Sequence, residues 1–505
     1  MPSFFGLHFG NTNMCLAMHK ESATDVLANA RGDRVTPSVI AFVDESEKLV
    51  GMDAKQRMVR NPASAVTNIK DRISNNSEPE LNHLESKPQT KVNGKKNNKG
   101  DFEINGYISQ YKAEDFLTIL FSNMKEIAYS SSHEDVCPTV VTVPLSFTKH
   151  QRELVKKAVT EAGFELLRII SEPSAAALAY NIGQDSNDIS SKCLVFRMGG
   201  TSLDVTILQV SNGMYSVLSS IQKKDFGGHQ VTNCIVNYCA SEFERKYKVD
   251  IKENKRALMK LRAVAEQFKH VAHGTTNEKC QVDSFYDGID LDVNISQTRF
   301  NFLIRDTLVQ CLDPIHEALS SASLSISDIN SVILCGGCCK IPQLQEIISN
   351  TFSSADILYS IRPDEVIAVG AAKQATLISQ SIDEEDYCIN LLSQDLSLKL
   401  TGFSNSREEL LLCSKGTLIP TVVTQSFTVT QDSNLKVEIY EGSLDSKEES
   451  AKLLAVLNMP NLPIGDIFFS FHIRSDGSLF VVCKDCSSKE LGSTTVIPPQ
   501  PQGCS

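Results

Sequence analysis

Residues 4–18 read FFGLHFGNTNMCLAM, and residues 193–208 read CLVFRMGGTSLDVTIL. In each, an apolar strand runs into a turn of small residues and out into a second strand. The tip of such a β-hairpin presents backbone N–H groups with no large Cβ substituent in the way, so it can approach and grip phosphate oxygens. A single glycine-rich hairpin is weak evidence. Two in equivalent contexts, about 190 residues apart, predict two related lobes closing on one nucleotide.

The elements that must position these tips are legible as alternating strands and helices up to about residue 378. Residues 139–144 (TVVTVP) read as a strand. Residues 149–163 (KHQRELVKKAVTEAG) have helical apolar spacing with a glycine at the end, and residues 165–170 return to strand. This is α/β patterning. Residues 255–273 (KRALMKLRAVAEQFKHVAH) form a basic helical pattern. Residues 74–100 are polar and carry Lys87, Lys91, Lys95, Lys96 and Lys99. They read as a solvated loop, with a contact patch for RNA or an acidic partner as the alternative. The acidic run DEED at 383–386 precedes YCINLLSQDLSLKL, which reads as a linker whose apolar part can dock or release. Beyond residue 393 the pattern is all β: TVVTQSFTVT and LKVEIYEG alternate in period two, and DIFFSFHI and SLFVVC flank a short turn. IPPQPQGCS reads as a disordered tail.

A chain of 505 residues exceeds one compact core and suits two to four domains. Apolar content of 41% and charge of 22% fit an ordinary globular protein. A net charge of −12 argues against nucleic-acid binding by the whole surface, which needs clustered Lys and Arg. No run approaches the roughly 18 apolar residues of a membrane helix. The N-terminal MPSFFGLHFG lacks the features of a signal peptide, and Cys504 stands one position too late for prenylation. The 15 cysteines read as reduced, largely buried thiols, which implies a cytoplasmic location. Cys483 and Cys486 form a lone C-x-x-C, for which zinc or redox chemistry is the alternative to plain thiols. CGGCC at 335–339 reads as a glycine turn.

The chain resembles the heat-shock protein 70 family over nearly its whole length. The resemblance rests on NARGDRVTPSVI (29–40), NPASAVTNIK (61–70), TVVTVP (139–144), SEPSAAALAY (171–180), CGGCCKIP (335–342) and PDEVIAVGAA (363–372), which stand in the family's order. It implies an α/β actin-like (ribonuclease-H-like) two-lobed nucleotide-binding domain over residues 1–378. A linker at 379–392, an all-β sandwich resembling the peptide-binding domain at 393–497 and a tail at 498–505 would follow. The helical lid of a standard member is not expected, so peptides would be held weakly, if at all.

The resemblance also implies site residues. Gly10, Asn11 and Thr12 stand where the family has Gly-Thr-Thr, and Gly199, Gly200, Thr201 and Ser202 where it has Gly-Gly-Gly-Thr, with Asp204 retained. Lys70 corresponds to the lysine near the γ-phosphate, and Glu172 to a carboxylate near the metal. Pro144 and Arg152 correspond to the switch that reports nucleotide state, with Leu391 and Leu392 in the linker. Gly227 and Gly228 correspond to a phosphate-contacting turn. Glu266, Lys269, Gly336, Gly337, Lys340 and Asp364 belong to the nucleotide pocket, with His270, His273 and Lys340 replacing an Arg, a Ser and a base-stacking Arg. Two departures are decisive: His8 and Arg197 stand where the family has metal-facing aspartates. Imidazole is a poor ligand for a hard cation, and a guanidinium repels one. Arg197 could pair with phosphate oxygens instead, or point away and form an ion pair elsewhere.

These features predict ATP as the cofactor, bound with little hydrolysis and without a magnesium requirement. They resemble the short, lidless members of the family that pair with a zuotin-type J-domain protein at the ribosome and assist nascent chains. The alternatives are an active ATPase cycling peptides alone and, opposed by the C-terminal β region, a metabolite kinase. Neither a membrane nor a sequence-specific nucleic acid is expected as a partner.

Overall fold

Strand Phe4–Phe9 is buried at five of its six positions, so both of its faces must be covered. It pairs antiparallel with Asn13–Lys20 and parallel with Pro138–Val143, which pairs parallel with Glu165–Ser171. The sheet therefore runs 165–171, 138–143, 4–9, 13–20, 23–26. A second sheet repeats this order with strands 356–358, 331–335, 191–198, 202–211, 214–224. In both, a glycine hairpin adjoins two parallel strands. The two hairpins close in the same way: Gly10 N–H donates to Asn13 O at 2.8 Å, and Gly199 N–H donates to Ser202 O at 2.9 Å.

The structure is a computed structural model. It describes residues 2–496 apart from 22, 45–46, 75–101, 105–106, 184–190, 212–213, 252–253, 272–276, 381–389, 392–394, 402–407, 414–417, 420, 430–432, 443–451, 463–464, 474–478 and 486–489. The polar segment up to residue 100, the run 383–386, His273, Leu392, Cys486 and the tail lie wholly or almost wholly outside the described residues. The chain divides into one unit of residues 1–208 and 218–382 and another of 209–217 and 383–505.

In the first unit each sheet has its own apolar core. Phe5, Leu7 and Phe9 join Phe116, Phe121 and Val155 on one side. Phe196, Val231, Ile235 and Phe300 anchor the other. The helix Lys149–Glu161 starts where the sequence directs: Thr148 accepts from Gln151 N–H, and Gln151 returns a bond to the Thr148 backbone. Gly163 follows with φ 88°, the left-handed conformation that ends a helix. The helix Val366–Gln380 touches strand Phe4–Phe9 and helix Glu172–Ala179 at bare backbone. A Cβ on Gly6 would lie 2.1 Å from Ala372 N, and one on Gly370 1.7 Å from Ala175 O.

The second unit contains two four-stranded sheets, 408–413/396–401/433–441/452–462 and 421–429/465–473/479–485/490–496. Strands Gly465–Ile473 and Leu479–Asp485 pair antiparallel, as their alternation predicts. Leu398, Leu400, Val437, Ile439, Phe469, Phe471 and Val481 fill the core between the sheets. Cys483 is buried in the same core. The pair Asn390–Leu391 forms a short strand against Leu418–Ile419. No helix among the described residues is long and apolar enough to cross a membrane.

Candidate functional site

The two hairpin tips meet. Asn11 Nδ2 donates to Thr201 Oγ1 at 2.8 Å. A Cβ on Gly200 would lie 2.4 Å from Thr12 Cγ2, so the close approach requires glycine there. The glycine pair that starts the helix Gly228–Tyr247 abuts the second tip: Gly228 N–H donates to Gly199 O and His229 N–H to Gly200 O, both at 2.9 Å. A Cβ on Gly227 would lie 2.7 Å from Gly199 O. Gly336, at φ 89°, passes so close that its Cβ would sit 2.3 Å from Met198 O. Bare backbone from two segments, 227–228 and 336, thus packs against the second tip, a glycine-lined cradle of the kind that a phosphate can approach closely.

Beneath the tips lies a chain of buried charges. Lys70 Nζ donates to Phe9 O at 3.1 Å and to Glu172 Oε1. The other oxygen of Glu172 faces Arg197 Nε at 3.0 Å. Arg197 Nη1 donates to Asp204 Oδ2 at 2.6 Å and to Ser202 Oγ at 3.3 Å. Gln222 holds the other Asp204 oxygen at 2.7 Å. Glu172 exposes only 4% of its side chain and Arg197 only 11%, so this ion pair is desolvated. Burial alone would raise the Glu172 carboxyl, but Arg197 and Lys70 hold it down at about 2. Burial alone would weaken the charge on Arg197, but Glu172 and Asp204 raise its pKa above the ordinary guanidinium value. Burial lowers the Lys70 pKa against the opposing pull of Glu172.

His8 stands opposite Thr142 in the strand register. Its Nδ1 lies 3.0 Å from Thr142 Oγ1 and 3.8 Å from Glu172 Oε1. Burial is the main cause that lowers its pKa to about 3, with Lys70 and Arg197 adding to the effect and Glu172 opposing it. The ring is therefore neutral at pH 7.

Lys269 Nζ donates to Gly228 O and Thr232 Oγ1, both at 3.2 Å. Glu266 pairs with Lys55 at 3.0 Å. Lys340 pairs with Asp364, which follows Pro363, the acceptor for Gly336 N–H at 2.7 Å. Gly337 begins the 3-10 turn Gly337–Lys340. Pro144 lines a cavity together with Glu172, Arg197, Asp204 and Gln222. Arg152, in the first turn of the helix Lys149–Glu161, donates through Nε to Phe147 O at 3.2 Å. Sequence reading missed Thr142, Gln222, Lys55 and Asp71, the last bonded to Asn11. The signal for Thr142 was its place in the strand TVVTVP, and that for Asp71 its position after Lys70. Gln222 carries none.

The cradle suits a nucleotide, whereas the charge chain does not suit a divalent metal. Both nearby carboxylates are engaged by Arg197, and the imidazole is directed to Thr142. Comparison with protein-family profiles matches residues 4–500 to the family described as "Hsp70 protein". The chain belongs to the Hsp70 family. It is 38% identical to "Heat shock 70 kDa protein 14" of Xenopus tropicalis over 502 residues, covering 97% of this chain and 98% of the relative. The proteins of that name from Mus musculus and Danio rerio are each 37% identical over the same shares. The chain is thus an Hsp70-family chaperone, and the family's nucleotide-binding domain binds ATP. Its α/β sheets with a β-rich C-terminal part fit that family's actin-like architecture.

Proposed function

We propose that this Hsp70-family chain is a non-standard chaperone subunit. It binds ATP, hydrolyses it little or not at all, and acts in the cytosol with a zuotin-type J-domain protein at the ribosome to assist nascent chains. Residues 1–378 serve as the nucleotide-binding domain, 379–392 as linker and 393–497 as a β-sandwich interaction domain. Gly10, Asn11, Thr12, Gly199, Gly200, Thr201 and Ser202 hold the phosphates with Gly227 and Gly228. Glu266, Lys269, Gly336, Gly337, Lys340 and Asp364 hold the nucleoside. Pro144 and Arg152 relay the state of the site.

The observation that carries this reading is the guanidinium of Arg197 lying between Glu172 and Asp204. A carboxylate at this point could hold a metal-bound water and accept a proton, and a guanidinium can do neither. Lys70 and Glu172 remain, but each is committed to the other. Removing one acid–base group costs ~10²–10⁴ in rate, and both His8 and Arg197 depart from the family pattern.

Single-turnover hydrolysis of bound ATP, with and without a J-domain, tests the proposal. The expected result is a very slow rate that the J-domain does not raise, together with co-sedimentation of the chain with ribosomes and a J-domain protein. Marked stimulation by the J-domain would restore the alternative of a chaperone that cycles clients alone.

A further inference from the structure

We propose that Arg197 is a resident cation that takes over phosphate binding from a metal, so the cleft accepts a metal-free nucleoside triphosphate. This inference rests on the reading of the cleft as a nucleotide site. A guanidinium has three nitrogens, and in Arg197 two of them are fixed: Nε faces Glu172 Oε2 at 3.0 Å, and Nη1 faces Asp204 Oδ2 at 2.6 Å. The third, Nη2, has no hydrogen-bond partner among the described residues. It lies 3.9 Å from where a Cβ on Gly199 would sit, with Nη1 at 4.0 Å. The carboxylates and Ser202 therefore fix the guanidinium and leave one of its nitrogens uncommitted, close to Gly199 of the second tip. A charged N–H held in place in this way is a strong donor to a phosphate oxygen.

The same placement works against a metal complex. Glu172 and Asp204 cannot ligate a divalent cation without releasing Arg197, and a cation placed there would face both Arg197 and Lys70. Free nucleotide carries more negative charge than its metal complex and is the better complement to this resident cation.

Calorimetric titration of the full chain with ATP, ADP and adenosine, in chelator and in magnesium, tests the assignment. For the unaltered chain, ATP affinity in chelator should stay within about threefold of that in magnesium, half a decade on the scale of affinity. Arg197→Met should weaken ATP binding in chelator by roughly tenfold or more, the scale of one charged hydrogen bond. Adenosine, which has no phosphate, should bind the variant as before. Arg197→Asp should bind ATP poorly in chelator and recover with magnesium. Arg197→Lys, which keeps the charge and loses the fork, guards against misfolding of the other variants and should lose part of the ATP affinity.

ATP affinity unchanged in both the Met and Lys variants would overturn the role of Arg197. So would a loss of more than roughly a hundredfold when magnesium is removed from the unaltered chain. Failure of that chain to bind ATP, ADP or adenosine would instead defeat the nucleotide reading itself.

Discussion

At the scale of single residues, two substitutions rewrite the chemistry of one site in different ways. Arg197 is held by carboxylates, whereas His8 is neutralised by burial. That neutrality has a pH signature. An unfolded His8 binds a proton below its ordinary 6.5, and the folded one only below about 3. Between these values the unfolded state holds the extra proton, so stability rises with pH and falls on acidification. Denaturant unfolding between about pH 6 and 5 should show a slope up to roughly 1.4 kcal/mol per pH unit. His8→Asn should remove that part of the slope, and an unchanged slope would refute the neutral ring. Below this range Glu172 adds to the loss, because its folded pKa of about 2 is depressed from 4.5. The residue types at positions 8 and 197 were legible in the sequence, but the direction of the guanidinium was not. Glu172 joins Lys70 and Arg197 from positions far along the chain, and no local pattern encodes such a pairing.

At the scale of elements, local signals served well wherever they were self-contained. The apolar spacing from residue 149, the Gly163 stop and the alternation of 465–473 with 479–485 each place an element where it occurs. The twin hairpins were visible as sequence, but their contact through Asn11 and Thr201 was not. Close packing of backbones is also silent in sequence, since a glycine at a helix crossing looks like any other. Gly370 offers a direct check. Its Cβ would overlap the Ala175 carbonyl at 1.7 Å, where no flexible side chain can yield. Gly370→Val should destabilise the fold by about 3 kcal/mol or more in urea unfolding. Gly337→Ala, which would meet nothing within 4 Å, should cost less than about 1 kcal/mol. Equal losses in the two variants would remove the argument for a bare-backbone crossing.

At the scale of the whole molecule, the order of motifs identified the family before any contact was known. The roles of the linker and the β domain were less accessible, because a run such as YCINLLSQDLSL shows only that it is too apolar for a free tether. Leu391 pairs in register with Leu418, and Leu392 lies outside the described residues. With hydrolysis impaired, we expect this segment to support one long-lived association with the partner. Leu391→Asp combined with Leu392→Asp should reduce recovery of the J-domain protein in pull-downs while leaving ATP affinity intact. Normal recovery, with tight capture of unfolded peptides by the chain, would return the reading to an independent chaperone.

The bare contacts of Gly6 and Gly370 also set a timetable for synthesis. Strand Phe4–Phe9 is covered by the helix Val366–Gln380, which lies against its backbone at Gly6. The strand is translated early and the helix more than 350 residues later. At ~5–20 residues per second, the strand waits roughly 20–70 s for its cover. During that interval an apolar strand backbone has no native neighbour on that face, and contacts of such long sequence separation form late. This face of the first sheet is therefore covered only after helix 366–380 has left the ribosomal tunnel, and until then it is a surface open to aggregation.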